Sequence, residues 1–259
     1  MLTADPLLNV QDVSVHFGGI VALDGVSFDI PRGQIVGLIG PNGAGKTTLF
    51  NCISRLYNVN KGDILFNGKS ILKSPVYKMS SLGVGRTFQN LALFANLTVL
   101  DNVMIGGHST CKADYLSNAL HLPWIKREEK ELRARSMDVL RFMGLEQTAL
   151  QRIGDLPFGV QKRLEIARAL LSKPKLLLMD EPAGGLNHNE LSELVATIRR
   201  IRDEFGTTVL LVEHHMGLVM EVSEKVVALS FGRKLAEGSP KTIQEHPDVI
   251  EAYLGTGKK

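Results

Sequence analysis

Residues 35–56 constrain this chain most. An uninterrupted apolar run, Ile35 to Ile39, leads straight into Gly40-Pro41-Asn42-Gly43-Ala44-Gly45-Lys46-Thr47-Thr48, and an amphipathic stretch continues to Leu56. That order predicts a buried strand, a phosphate-sized loop and a helix. The glycines let main-chain N–H groups turn toward one centre, and the first helical turn adds its partial positive charge. The spacing fits G-x-x-x-x-G-K-[ST], in which Lys46 pairs with the outer phosphates of a nucleoside triphosphate and the Thr47 hydroxyl ligates Mg²⁺.

A second apolar run, Leu176 to Met179, ends in Asp180-Glu181. Side chains alternate on a strand, so the two carboxylates leave in different directions, at the edge where open α/β sheets bind ligands. Asp180 is expected to support the metal and its water shell, and Glu181 to polarise the attacking water as general base. An acidic strand end alone is more often a solvated terminus. Beside a phosphate loop the functional reading is the stronger one.

The rest of the chain supplies the frame. Val13, Val15 and Phe17 alternate, as do Val26, Phe28 and Ile30, which predicts two half-buried antiparallel strands. Val209 to Val212 and Val226 to Leu229 are short apolar runs suited to a parallel sheet covered on both faces. Between strands, Leu191, Leu194, Val195, Ile198 and Ile201 recur at helical spacing, with Asn189 as the expected cap. The alternation makes the chain α/β and doubly wound. Residues 91–171 lack strand patterns. Thr98 with Asp101 reads as a capping box, and Ile125 to Met143 as a helix ended by Gly144. Phe231-Gly232-Arg233-Lys234 reads as a hairpin turn, and Pro247 to Leu254 as a closing helix stopped by Gly255. We therefore expect a single domain over 7–255, with 7–90 and 172–255 forming the nucleotide-binding core and 91–171 a helical insertion.

Composition narrows the class. With 44% hydrophobic and 22% charged residues in 259, the chain is globular. Its net charge of +3 is interspersed, as in Lys126-Arg127-Glu128-Glu129-Lys130-Glu131, so no nucleic-acid partner is expected. Cys52 and Cys111 form neither a disulfide framework nor a zinc pattern, which fits a reducing cytoplasm. Residues 1–9 carry no leader pattern, and no stretch reaches the roughly 20 apolar residues that cross a bilayer. If a membrane is involved, other chains must cross it.

Taken with Gln89, Leu156-Pro157-Phe158-Gly159-Val160-Gln161 and His214, these motifs, in this order, resemble the ATP-binding cassette ATPases over nearly the whole chain. The resemblance implies a P-loop NTPase (RecA-like) core with an antiparallel β subdomain and an inserted helical subdomain. It also implies ATP and Mg²⁺ as ligands. Phe17 would stack on adenine, where its bland alternative is a core aromatic. Gln89 would link Mg²⁺ and water to the helical subdomain, and His214 would contact the γ-phosphate. Phe158, Gly159, Val160 and Gln161 would face ATP on an opposing subunit, making a nucleotide-sandwich dimer.

Some positions depart from the family. Pro157 stands in place of Ser, Phe158 in place of Gly, Val160 where Gln is common, and Asn187 and His215 where Asp is usual. Proline removes a hydroxyl and an N–H donor, which implies weaker γ-phosphate contacts from this face.

The wider pattern includes Phe17-Gly18-Gly19-Ile20-Val21-Ala22-Leu23, Arg86-Thr87-Phe88-Gln89 and Leu164-Glu165-Ile166-Ala167-Arg168. It is similar to the larger ATP-binding subunit of high-affinity branched-chain amino acid importers. That implies a second ABC ATPase subunit (homo- or heterodimer), transmembrane permease subunits and, indirectly, a solute-binding protein. The place would be the cytoplasmic face of the plasma (inner) membrane. A motor for another cargo, such as urea, an amide or a lipid, and a soluble non-transport cassette are the alternatives.

Overall fold

The computed structural model describes residues 5–88, 91–110 and 123–254. Its centre is β3 (Ile35–Ile39), five apolar residues that are all buried. β3 lies in a six-stranded sheet with β6 (Val84–Arg86), β7 (Leu176–Asp180), β8 (Thr208–Val212), β9 (Lys225–Ser230) and β10 (Arg233–Gly238), in the order β10-β9-β3-β8-β7-β6. Every pairing is parallel except that of β10 with β9. Phe231 and Gly232 close that hairpin with φ of 45° and 76°, two left-handed residues as a two-residue turn requires.

Strand alternation sorts the sheet's side chains into two cores. Ile35, Ile39, Leu177, Met179, Val209 and Leu211 belong to one cluster, shared with α3 (Val99–Gly106), α5 (Phe158–Leu170), α6 (His188–Phe205) and α7 (Met216–Val222). Val36, Leu38, Leu176, Leu178, Leu210 and Val212 belong to the other, with α1 (Lys46–Ile53) and the antiparallel sheet. Each fully buried aliphatic side chain contributes roughly 1.5–3 kcal/mol. At Gly37 a Cβ would lie 2.4 Å from Val219 Cγ1, so glycine lets α7 rest directly on β3.

The second sheet, ordered β2-β1-β4-β5, is antiparallel. It comprises β1 (Leu8–Phe17), β2 (Ile20–Ile30), β4 (Lys61–Phe66) and β5 (Lys69–Ser70). Periodicity did not anticipate β4 to β6. α2 (Met79–Leu82) precedes β6, while α8 (Pro240–Gln244) and α9 (Pro247–Leu254) follow β10. The expected stop at Gly255 lies outside the described residues, as does Cys111.

Between 91 and 171 the described residues contain helices and short turns but no strand: α3, α4 (Pro123–Phe142) and α5. Thr98 caps α3, its hydroxyl accepting from the Asp101 N–H at 3.1 Å and donating to the Asp101 carboxylate at 2.5 Å. Gly144 takes φ 68° just beyond α4.

The cap of α6 is Asn187, not Asn189. Asn187 Oδ1 accepts from the Glu190 N–H at 3.1 Å, and the Glu190 carboxylate accepts from the Asn187 N–H at 2.8 Å. The helix has already begun at His188, so Asn189 lies inside its first turn. Replacing Asn187 with Ala removes half of this reciprocal box. The variant is expected to lose about 1 kcal/mol, read as a lower urea midpoint with unchanged slope.

Candidate active site

The loop after β3 is held open by close main-chain approaches. At Gly40 (φ 154°) a Cβ would lie 2.3 Å from the Leu229 carbonyl oxygen, and at Gly45 (φ 98°) 2.7 Å from the Ala22 carbonyl oxygen. Gly232 braces the loop from the hairpin, donating its N–H to the Ala44 carbonyl at 3.1 Å. Lys46 opens α1 and is buried, with Nζ folded back to donate to the Gly40 carbonyl at 2.6 Å and the Pro41 carbonyl at 3.0 Å. Burial lowers its pKa from the ordinary lysine value, and the negative charges of Glu181 and Asp180 oppose that shift.

A cavity of about 390 Å³ opens over this loop, lined by Asn42, Gly43, Ala44, Gly45, Lys46, Thr47 and Thr48 together with Glu181 and His214. Ile20, Val21 and Ala22 form an apolar wall to it, a place that the family pattern containing them did not assign. Glu181 and His214 come from the ends of neighbouring strands, β7 and β8. The Glu181 Oε1 lies 2.6 Å from His214 Nε2. Glu181 adopts φ 48°, a left-handed conformation uncommon outside glycine. Such a residue breaks the strand pleat after Asp180.

Asp180 is buried and points elsewhere. Its Oδ2 pairs with Arg86 Nη2 at 3.0 Å, and its N–H donates to Thr87 Oγ1 at 3.4 Å. Arg86 Nη1 donates in turn to Asn51 Oδ1 at 2.8 Å and Ser54 Oγ at 3.0 Å. Its guanidinium lies over the Phe50 and Phe88 rings. Burial raises the Asp180 pKa above the ordinary carboxylate value, and the Arg86 charge and hydrogen bond hold it down.

Two charges here had no role assigned from sequence. One is Arg86. The other is Glu213, buried immediately after β8, where Oε1 accepts from the Ala183 N–H at 2.6 Å and Oε2 from the His214 N–H at 3.0 Å and the His215 N–H at 3.3 Å. The signal for Glu213 was present, since it follows an apolar strand as Asp180-Glu181 does. His215 serves as N-cap of α7, Nδ1 accepting from the Leu218 N–H at 3.4 Å.

The remaining expected residues lie away from this cavity's lining. Phe17 is 45% exposed, which removes the core alternative. It pairs with exposed Ile20 at the end of the β1–β2 hairpin and meets Tyr57 edge-on with centroids 5.1 Å apart. Gln89 lies outside the described residues. Pro157 caps α5, and the N–H groups of Val160 and Gln161 turn back to its carbonyl at 3.0 and 3.1 Å. Val160 packs half-buried against the core, and the Gln161 amide donates to the Leu156 carbonyl at 2.8 Å. The Phe158 ring lies against Gly185, where a Cβ would come within 2.8 Å of it. At Gly159 a Cβ would meet Glu190 Oε1 at 2.2 Å.

The sheet order, the loop at the end of β3 and the acidic end of β7 define a P-loop nucleotide-binding cassette. Residues 23–184 match the family described as ABC transporter, and residues 233–259 that described as branched-chain amino acid ATP-binding cassette transporter. The chain is 41% identical over 250 residues to the high-affinity branched-chain amino acid transport ATP-binding protein BraF of Pseudomonas aeruginosa, covering 96% of this chain and 98% of that one. To LivG of Escherichia coli, which carries the same description, it is 40% identical over 252 residues, 97% and 99% of the two chains. A solved ADP conformation of an ATP-binding cassette of an ABC transporter aligns at TM-score 0.84 and 29% identity, over 97% of this chain and 100% of that one. The chain belongs to the ABC transporter family and is an ATP-binding, ATP-hydrolysing member of it.

Replacing Arg86 with Met would leave Asp180 buried without its hydrogen-bonded cationic partner. The expected cost is about 3–5 kcal/mol, measured by urea denaturation; an unchanged midpoint would show that the pair contributes nothing net.

Proposed function

We propose that this chain is the ATP-driven motor of a branched-chain amino acid importer, working as a nucleotide-sandwich dimer at the cytoplasmic face of the plasma (inner) membrane. The observation that carries the chemistry is the Glu181–His214 pair poised beside the phosphate loop, 2.6 Å apart at the ends of adjacent strands. In this reading Glu181 accepts the proton of the water that attacks the γ-phosphorus. With ATP bound, the His214 N–H turns from that carboxylate to the γ-phosphate, while Lys46 neutralises charge on the outer phosphates. We divide the chain into a nucleotide-binding core (7–90 and 172–255) and a helical subdomain (91–171).

The donor set suits Mg²⁺, a hard cation that takes oxygen ligands. Thr47 is exposed at the start of α1, and Asp180 places a buried carboxylate, paired with Arg86, at the end of β7. These two, with Gln89, are the groups we assign to the ion. When bound, it would draw negative charge off the phosphate oxygens. Phe17, with an exposed ring near Tyr57, is assigned to the adenine. Phe158 and Gly159 are assigned to the ATP of the opposing subunit. The inward packing of Val160 and the carbonyl-bound amide of Gln161 leave them a supporting part.

None of the described helices is long and apolar enough to cross a membrane. Transmembrane permease subunits are the partners assigned to carry the solute across. The surface we assign to them is an apolar groove of about 480 Å³, lined by Leu56, Val76, Met79, Phe88, Phe94 and Ile105 among others. It spans both the sheet core and the helical region, so its occupant can feel one move against the other. The cargo follows from the relatives, whose descriptions name branched-chain amino acids. A solute-binding protein would act through the permeases.

Replacing Glu181 with Gln should leave nucleotide affinity intact and slow hydrolysis by roughly 10³-fold or more, the scale seen for removed catalytic groups. Retained turnover would reassign the base. In a complex reconstituted with its permeases and binding protein, leucine, isoleucine or valine should stimulate ATP hydrolysis. Stimulation by urea or an amide instead would overturn the cargo.

A further inference from the structure

The main chain between β6 and the helical region is gripped by one helix. Glu165, in α5, is 2% exposed, and its Oε1 accepts from the Phe88 N–H at 2.7 Å. The Ala92 N–H faces the same carboxylate. One helical turn on, Arg168 Nη1 donates to the Ala92 carbonyl. A carboxylate and a guanidinium at i and i+3 thus hold the chain on both sides of residues 89–91. Hydrogen bonds to ionised groups are the stronger kind, and more so away from water.

The other end of this connection reaches the active site. Thr87, next to Phe88, donates its N–H to the Leu178 carbonyl at 2.9 Å, and its hydroxyl accepts from the Asp180 N–H at 3.4 Å. A continuous path therefore runs from the Asp180 main chain through Thr87 and Phe88 to Glu165. Seven residues before Glu165 on the same helix stands Phe158, roughly 10 Å away at 1.5 Å per residue. Helix packing alone would not require a charge here. Leu164, Ile166, Ala167 and Leu170 already fill the core, and burial raises the Glu165 pKa, a cost that an apolar residue would avoid.

We propose that Glu165 and Arg168 are positioning residues for ATP hydrolysis: they fasten the chain at Phe88 and Ala92 to α5 and thereby hold Thr87 against the Asp180 main chain. Arg168, Phe88 and Ala92 also line the apolar groove assigned to the permeases, so a partner seated there presses directly on this clamp. The proposal rests on the hydrolytic site assigned above.

The test uses the full chain, with Glu165→Gln and Arg168→Lys made singly and together. Glu165→Gln is isosteric, but its amide offers one acceptor where the carboxylate offers two, and Arg168→Lys keeps the charge. Three measurements are made on each: steady-state ATP hydrolysis, thermal melting, and hydrogen exchange at the Phe88 and Ala92 amides. Each single variant should lower kcat about tenfold with KM for ATP within about twofold, the pattern of an interaction that serves the transition state and not nucleotide binding. Exchange at both amides should rise. The double variant should be no slower than the worse single one, because the residues act as a unit.

Faster exchange with unchanged kcat in both single variants would overturn the proposal. So would kcat losses that add in the double variant, or that follow the loss of melting temperature across the set. Failure of the underlying site assignment would appear separately, as undiminished hydrolysis in Glu181→Gln.

Discussion

The burial of β3 on both faces is the constraint from which the rest follows. Five apolar residues with no solvent face can sit only at the centre of a sheet that is covered on two sides. The chain's turn out of that strand is therefore fixed in space, and the tight approach of Gly40 to the Leu229 carbonyl fixes its direction. Because β7 and β8 run parallel to β3, their carboxyl ends open at the same edge. Parallel topology is what brings Lys46, Glu181 and His214 to one cavity from positions 135 and 168 residues away from the lysine.

Around that edge the protein manages buried charge by pairing it. Asp180 is matched by Arg86, Glu181 meets His214, and Glu213 is satisfied by three main-chain N–H groups. Lys46 is compensated by carbonyls and by the two acidic residues nearby. Pairing of this kind orients each group more than it adds stability, since desolvation offsets much of the attraction. Glu213 also joins two segments, gripping the Ala183 N–H on one side and the His214 and His215 amides on the other. The loop after Glu181 and the loop after β8 are thereby held in register.

Local pattern failed where a longer-range contact decided the outcome. Alternation grouped Phe17 with Val13 and Val15, but it pairs with exposed Ile20 at the end of the β1–β2 hairpin. Asn189 was the expected cap, but the reach of Glu190 back to the Asn187 N–H makes Asn187 the cap. Short strands such as β6 carry too few residues for periodicity to register, and their pairing with β7 alone defines them.

By itself the sequence determined the α/β class, the central strand, the phosphate loop and the acidic strand end. Each of these is encoded in contiguous residues: an apolar run, a glycine spacing, two adjacent carboxylates. Tertiary structure alone decided the partners. Which cation faces Asp180, that Glu181 meets His214, that Glu213 ties two loops, and that Glu165 holds the chain at Phe88 all depend on side chains up to 94 residues apart. No local spacing carries that information, because hydrogen-bond and ion-pair partners are chosen by where the strands and helices pack.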